Sequence, residues 1–130
     1  MGNRTTTVAD IMTTALMTVA PEESIESVDF EMKLSSVRHI PVVGPHNQLV
    51  GIVSDRDILR AVREPPTRPI ADIMKREIRT VRPEDPARQA LDVLLANRIG
   101  CVPVVGDDRQ LVGIVTETSF LRFAREALAD

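Results

Sequence analysis

The chain repeats itself. Displaced by 62 positions, the 130-residue sequence lays Met12 on Met74, Thr18 on Thr80, Pro21 on Pro83, Pro41 on Pro103 and Gly51 on Gly113 without a gap. Between residues 8–60 and 70–122, 20 of 53 pairs are identical. The longest matches are Pro41-Val42-Val43-Gly44 on Pro103-Val104-Val105-Gly106 and Gln48-Leu49-Val50-Gly51-Ile52-Val53 on Gln110-Leu111-Val112-Gly113-Ile114-Val115. Self-similarity at a fixed period marks a fold built from stacked copies of one unit. A copy of about 60 residues buries a small share of its own surface. Two copies sharing one core are therefore expected, with a pseudo-twofold relation and two related clefts at the seam, a common location for small ligands.

Each copy obeys the same local rules. In 24–35, Ile25, Val28 and Met32 recur at helical intervals, as do Ala87, Ala90, Leu91, Leu94 and Leu95 in the second copy, so both segments are predicted amphipathic helices. Residues 40–43 and 49–53 are β-branched runs separated by Gly44-Pro45-His46-Asn47-Gln48, the pattern of a hairpin with a longer loop. Closing helices are predicted over 55–62 and 117–128. The prolines of Arg63-Glu64-Pro65-Pro66-Thr67-Arg68-Pro69 forbid helix continuation and mark 63–69 as the linker between domains at 8–62 and 70–128.

Composition removes several function classes. Lys and Arg number 16 against 19 Asp and Glu, which gives no general attraction to nucleic-acid phosphates. With no Trp or Tyr, and only Phe30, Phe120 and Phe123, the chain lacks the aromatic faces on which single strands stack. Cys101 is the sole cysteine, so no internal disulfide forms and no thiolate cluster holds zinc; it reads as a small buried hydrophobe. His39 and His46 lack the spacing that pairs metal ligands. No apolar run suggests a signal peptide or membrane span, and the chain reads as cytoplasmic. Met1-Gly2-Asn3-Arg4-Thr5-Thr6 fits the loose myristoylation pattern but has no polybasic partner, and is read as accidental.

The ordered motifs Asp10-Ile11-Met12 and Asp72-Ile73-Met74, Thr18-Val19-Ala20-Pro21-Glu22 and Thr80-Val81-Arg82-Pro83-Glu84, a hydrophobic-Pro-Val-Val strand, and Leu-Val-Gly-Ile-Val ending in Ser54 or Thr116 together resemble a tandem CBS domain, or Bateman module. The resemblance spans nearly the whole chain. It implies an α/β (α+β) fold of two βαββα units, related by pseudo-twofold symmetry and packed sheet to sheet, with assembly of the pair into a homodimer.

It also implies a ligand site. Gly51-Ile52-Val53-Ser54-Asp55-Arg56-Asp57 matches the family segment that binds the ribose phosphate of adenosine ligands. The chemistry is sensible by itself: a helix beginning at Ser54 offers free N–H groups to a phosphate, and the Asp57 carboxylate can accept hydrogen bonds from both hydroxyls of a ribose. The alternative is a capping box, in which Ser54 and Asp57 only satisfy backbone donors. The second copy has Thr116 but places Ser119 where the first has Asp57, so its cleft is expected to be weaker, differently selective or empty. By the resemblance, Arg38 and His39 are candidates for phosphate contact, with Arg56 in reserve; Gly100 and Cys101 replace the first two in the other copy. Leu16, Thr18, Ile40, Pro41 and Ile52 are the expected lining of the first cleft, and Ile78, Thr80, Val102, Pro103 and Ile114 of the second. Lys75, Arg76, Arg79 and Arg82 form a basic run, read as a solvated face, with the steering of phosphates into a cleft as the alternative.

No catalytic constellation is legible: no nucleophile in a recognisable setting, no metal cluster, no Gly-rich phosphate loop. The expected function is a non-catalytic regulatory module that needs no cofactor, binds AMP, ADP or ATP as a regulatory ligand, and signals to a partner such as an enzyme or transporter. The alternatives are a ligand-free structural or oligomerisation module and a sensor of S-adenosylmethionine or another adenosyl ligand. Neither nucleic acid nor a membrane is an expected partner.

Overall fold

The computed structural model describes residues 5–97 and 100–129. The first four residues of the myristoylation pattern and Ile99 lie outside that range. The described chain is mixed α/β and forms two compact units, Met17–Ile78 and a second that joins Met1–Leu16 to Arg79–Asp130.

In the first of these, Ser24 starts helix α2 (Ile25–Ser35) by accepting from the Ser27 N–H at 3.1 Å, and Ser36 ends it in the left-handed conformation at φ 56°. Its buried stripe is the expected one, Ile25, Val28 and Met32. The stripe packs on the hairpin of β1 (His39–Val43) and β2 (Leu49–Ser54), whose antiparallel register pairs His39 with Ser54 and Pro41 with Ile52. Burial alternates strictly along β2, as it must when one face of a strand meets a core. Helix α3 follows at once and spans Asp55–Arg60, shorter than the 55–62 expected. The chain then tightens into turns, with Val62 N–H on the Leu59 carbonyl and Glu64 N–H on the Ala61 carbonyl, because Pro65 supplies no N–H and disfavours helix in the residue before it.

The other unit repeats this plan with α4 (Ala87–Asn97), the hairpin of β3 (Cys101–Val105) and β4 (Leu111–Thr116), and α5 (Glu117–Ala127). Leu95, predicted for the apolar stripe of α4, is 69 % exposed; Ala87, Ala90 and Leu94 carry the burial. Both hairpins turn through a single 3-10 turn, Pro45–Asn47 and Asp107–Arg109, with residues at positive φ (His46 and Asn47; Asp108 and Arg109). Pro-His-Asn and Asp-Asp-Arg have little in common locally, so strand register dictates this turn more than residue preference does.

The expected first strand of each copy is a single bridging residue. Val19 lies parallel to Val42, and Val81 to Val104. Pro21 and Pro83 follow two positions later, and a proline cannot donate to a ladder. The second acid after each proline closes the turn: Glu23 accepts from the Ala20 N–H and Asp85 from the Arg82 N–H, both at 2.8 Å.

Chain order and packing disagree over the opening motif of each copy. The helix α1 (Val8–Ile11) and the residues after it belong to the unit that contains β4, where Thr13 and Ile114 exchange backbone hydrogen bonds of 2.8 and 3.0 Å. The corresponding segment of the second copy, starting with a 3-10 turn at Ile70–Asp72, belongs to the unit that contains β2, where Lys75 and Ile52 do the same at 2.9 and 3.0 Å. Val8 and Ile70 are both completely buried, each contributing about 1.5–3 kcal/mol by area. The glycines of β2 and β4 allow these close approaches: a Cβ on Gly51 would sit 2.8 Å from Met74 Cγ, and one on Gly113 2.7 Å from Met12 Sδ.

Candidate functional site

The candidate centre is the junction of β2 and α3. Ser54 ends the strand and caps the helix, receiving the Asp57 N–H on its Oγ at 3.2 Å, while its own N–H is received by Asp57 Oδ2 at 2.8 Å. The capping box anticipated as the alternative role is therefore formed. It does not exhaust Asp57. A carboxylate offers about four acceptor positions, the cap occupies one, and Oδ1 faces the Lys75 ammonium at 3.7 Å, beyond hydrogen-bond length. Asp57 is 8 % exposed, yet it borders a depression of about 270 Å³ shared with Arg60, Ala61, Glu64 and Ile73. Ligand pockets generally measure about 300–1,000 Å³, so this space suits a sugar better than a whole nucleotide.

His39 sits opposite Ser54 across the hairpin. Its imidazole is held below the ordinary 6.5, chiefly because burial penalises the charged form, with the Lys75 and Arg38 charges adding to this and Asp55 and Asp57 opposing it. The structure therefore gathers Ser54, Asp57, His39 and Lys75 around one helix start, next to half-buried Ile52. Arg38 is exposed and lines a different depression, of about 330 Å³, with Asp29, Lys33 and Asp55 among its neighbours. Arg38 stands at the bend before β1, outside the strand that carries His39. Arg56 is exposed on α3.

Of the expected lining, Thr18 and Ile52 are half-buried in this unit, and Leu16 is half-buried in the other. Ile40 and Pro41 are buried, and Ile40 is wholly enclosed in its core; a ligand could meet its backbone but not its side chain. Val102 and Pro103 are similarly enclosed, while Ile78, Thr80 and Ile114 are half-buried.

The second copy builds the same cap without charge. Thr116 N–H donates to Ser119 Oγ at 3.0 Å, and Ser119 N–H to Thr116 Oγ1 at 3.4 Å. Thr13 occupies the place of Lys75, and Cys101 that of His39. Burial pushes the Cys101 thiol up to about 12, so it stays protonated and unreactive.

Lys75 is not singled out by the sequence from the rest of its basic run, because such a run is ordinarily solvated charge. The run divides in the structure: Arg76 donates to the Ala71 carbonyl, Arg82 pairs with Glu84 and Asp107, and Lys75 turns to Asp57. The only available signal was the 62-residue offset, which changes Lys75 to Thr13 and Asp57 to Ser119 together.

The CBS domain model matches twice, at residues 8–64 and 70–126. The chain belongs to the CBS-domain family. The CBS pair of protein MJ0100, solved with 5′-methylthioadenosine and S-adenosyl-L-methionine, superposes with a TM-score of 0.85 at 30% identity, covering 95% of this chain and 99% of that one. CBSX2 of Arabidopsis thaliana, solved in complex with AMP, gives 0.88 at 28% identity over 95% and 99%. Among curated relatives, inosine-5′-monophosphate dehydrogenase of Methanocaldococcus jannaschii is 30% identical over 82% of this chain. The two CBS repeats here correspond to only 21% of that enzyme's length. Among the described residues no helix is long and apolar enough to cross a membrane.

Proposed function

We propose that this CBS pair is a non-catalytic regulatory module that binds an adenine nucleotide, AMP, ADP or ATP, with the ribose at Asp57 and the phosphate toward the start of α3. The observation that carries this reading is the unspent valence of Asp57. One carboxylate oxygen holds the helix cap, the other faces a loosely paired lysine, and the residue borders a depression. AMP in CBSX2 and adenosyl ligands in MJ0100 support the choice of ligand class. Binding would act by linkage: a nucleotide that prefers one arrangement of the chain or its homodimer shifts the population by its difference in affinity, and a regulated enzyme or transporter in the cytoplasm reads the shift. The domains of this reading are 8–62 and 70–128.

A second reading is favoured by one observation, that Thr116 and Ser119 make the same cap with no carboxylate. On that reading both caps are structural and the chain binds nothing. Thermal melting with AMP, ADP, ATP and S-adenosylmethionine decides between the two. A ligand at about 100 times its dissociation constant adds roughly 2.7 kcal/mol. A rise with a nucleotide supports the proposal, a rise with S-adenosylmethionine alone reassigns the ligand, and no rise with any of them leaves the structural reading.

A further inference from the structure

We infer that Lys75 makes the Asp57 site select phosphorylated ribonucleosides over uncharged ones. The inference rests on the functional reading above and assigns that site its ligand class. Lys75 is fixed at its base and loose at its tip. Its backbone is pinned to Ile52 by two hydrogen bonds, two residues before Ser54, whereas its side chain is 58 % exposed and its ammonium lies 3.7 Å from Asp57 Oδ1. A half-exposed ion pair at that distance is weakly held, so the ammonium can leave when a better anion arrives.

A ribose that binds Asp57 takes the oxygen Lys75 now faces. If the ligand carries a 5′-phosphate, one sugar away, Lys75 exchanges a buried carboxylate for a more highly charged partner. If the ligand is an uncharged nucleoside, the ammonium loses its share of Asp57 and gains nothing. His39, across the hairpin from Ser54, feels the charges of Asp55, Asp57, Lys75 and Arg38. The other unit supplies the internal control, since Thr13, Ser119, Cys101 and Gly100 stand at the positions of Lys75, Asp57, His39 and Arg38. Lysine and aspartate are present together in one unit and replaced by hydroxyls together in the other, as expected if the two act as a pair.

The test is calorimetric titration of the full chain with AMP and with adenosine, for the wild type, Lys75→Thr and Lys75→Arg. Wild type should bind AMP more tightly than adenosine. Lys75→Thr should weaken AMP about tenfold by loss of a charge-assisted contact, leave adenosine unchanged or tighter, and flatten the salt dependence of AMP binding. Lys75→Arg should retain the preference, and melting in buffer should be the same for all three, given the exposure of the side chain. An unchanged AMP-to-adenosine ratio in Lys75→Thr, or equal weakening of both ligands, overturns the inference while leaving the nucleotide reading intact. Failure of the wild type to bind either ligand overturns both.

Discussion

On the proposed function Asp57 has two roles, and the chain itself contains the substitution that separates them. Replacing Asp57 with Ala removes the acceptor of the Ser54 N–H at 2.8 Å and leaves a part-buried donor unpaired, at a cost of about 1–3 kcal/mol. In a chain of this size that lowers the melting temperature by roughly 3–6 °C per kcal/mol. Replacing it with Ser should cost little, because Ser119 already holds the equivalent cap, with Thr116 N–H on its Oγ at 3.0 Å. Both variants lose the carboxylate. Two hydrogen bonds from a diol to a charged acceptor, at about 1.5 kcal/mol or more apiece, correspond to a loss on the order of a hundredfold in affinity. Differential scanning fluorimetry in buffer, followed by titration with AMP, should therefore show Asp57→Ala destabilised and about a hundredfold weaker in binding, and Asp57→Ser near wild type in stability but equally weakened in binding. An Asp57→Ser protein that binds AMP as wild type does would refute the assignment of ribose to this carboxylate.

Other outcomes follow from packing and charge. Gly51→Ala puts a methyl group 2.8 Å from Met74 Cγ and 3.2 Å from the Lys75 carbonyl, an overpacking that should cost about 1–3 kcal/mol in chemical denaturation and weaken AMP binding by displacing Lys75; wild-type stability would show that Met74 gives way freely. His39 is held below its ordinary 6.5 by burial, so below that pH the unfolded chain binds protons more readily than the folded one. Its contribution is whole above 6.5 and is lost as pH falls through the lowered value. Urea midpoints measured from pH 7 down to pH 5 should decline more steeply for wild type than for His39→Gln, and parallel curves would count against a half-buried neutral imidazole.

Much of the fold is visible in the residues because hydrophobic period and proline placement are local signals. The stripe of Ile25, Val28 and Met32, the Val-rich strands and the helix starts at Ser54 and Thr116 all occur where their patterns put them. Alignment of the copies could not say where Asp10-Ile11-Met12 packs, since a repeat reports common ancestry of segments and not which neighbours they meet. The same blindness hid Lys75, whose partner is 18 residues earlier in the chain and belongs to the other copy. Arg38 and His39 are adjacent in sequence, but Arg38 lies at the bend before β1 and lines a depression that His39 does not. Asp57 was legible as a residue of consequence, but its dual employment was visible only once both oxygens had been located.

The crossed placement of the opening motifs sets limits on how this molecule can be dissected. A gene fragment stopping at the end of the first CBS match would lack Ile70 and the strand partner of Ile52, and so would present a body with one flank missing. Met17–Ile78 is continuous and carries its body entire, whereas the other body needs both chain ends. Inheritance by duplication and division into bodies thus follow different boundaries, and a substitution at 74 or 75 in the second copy is felt at the helix start of the first.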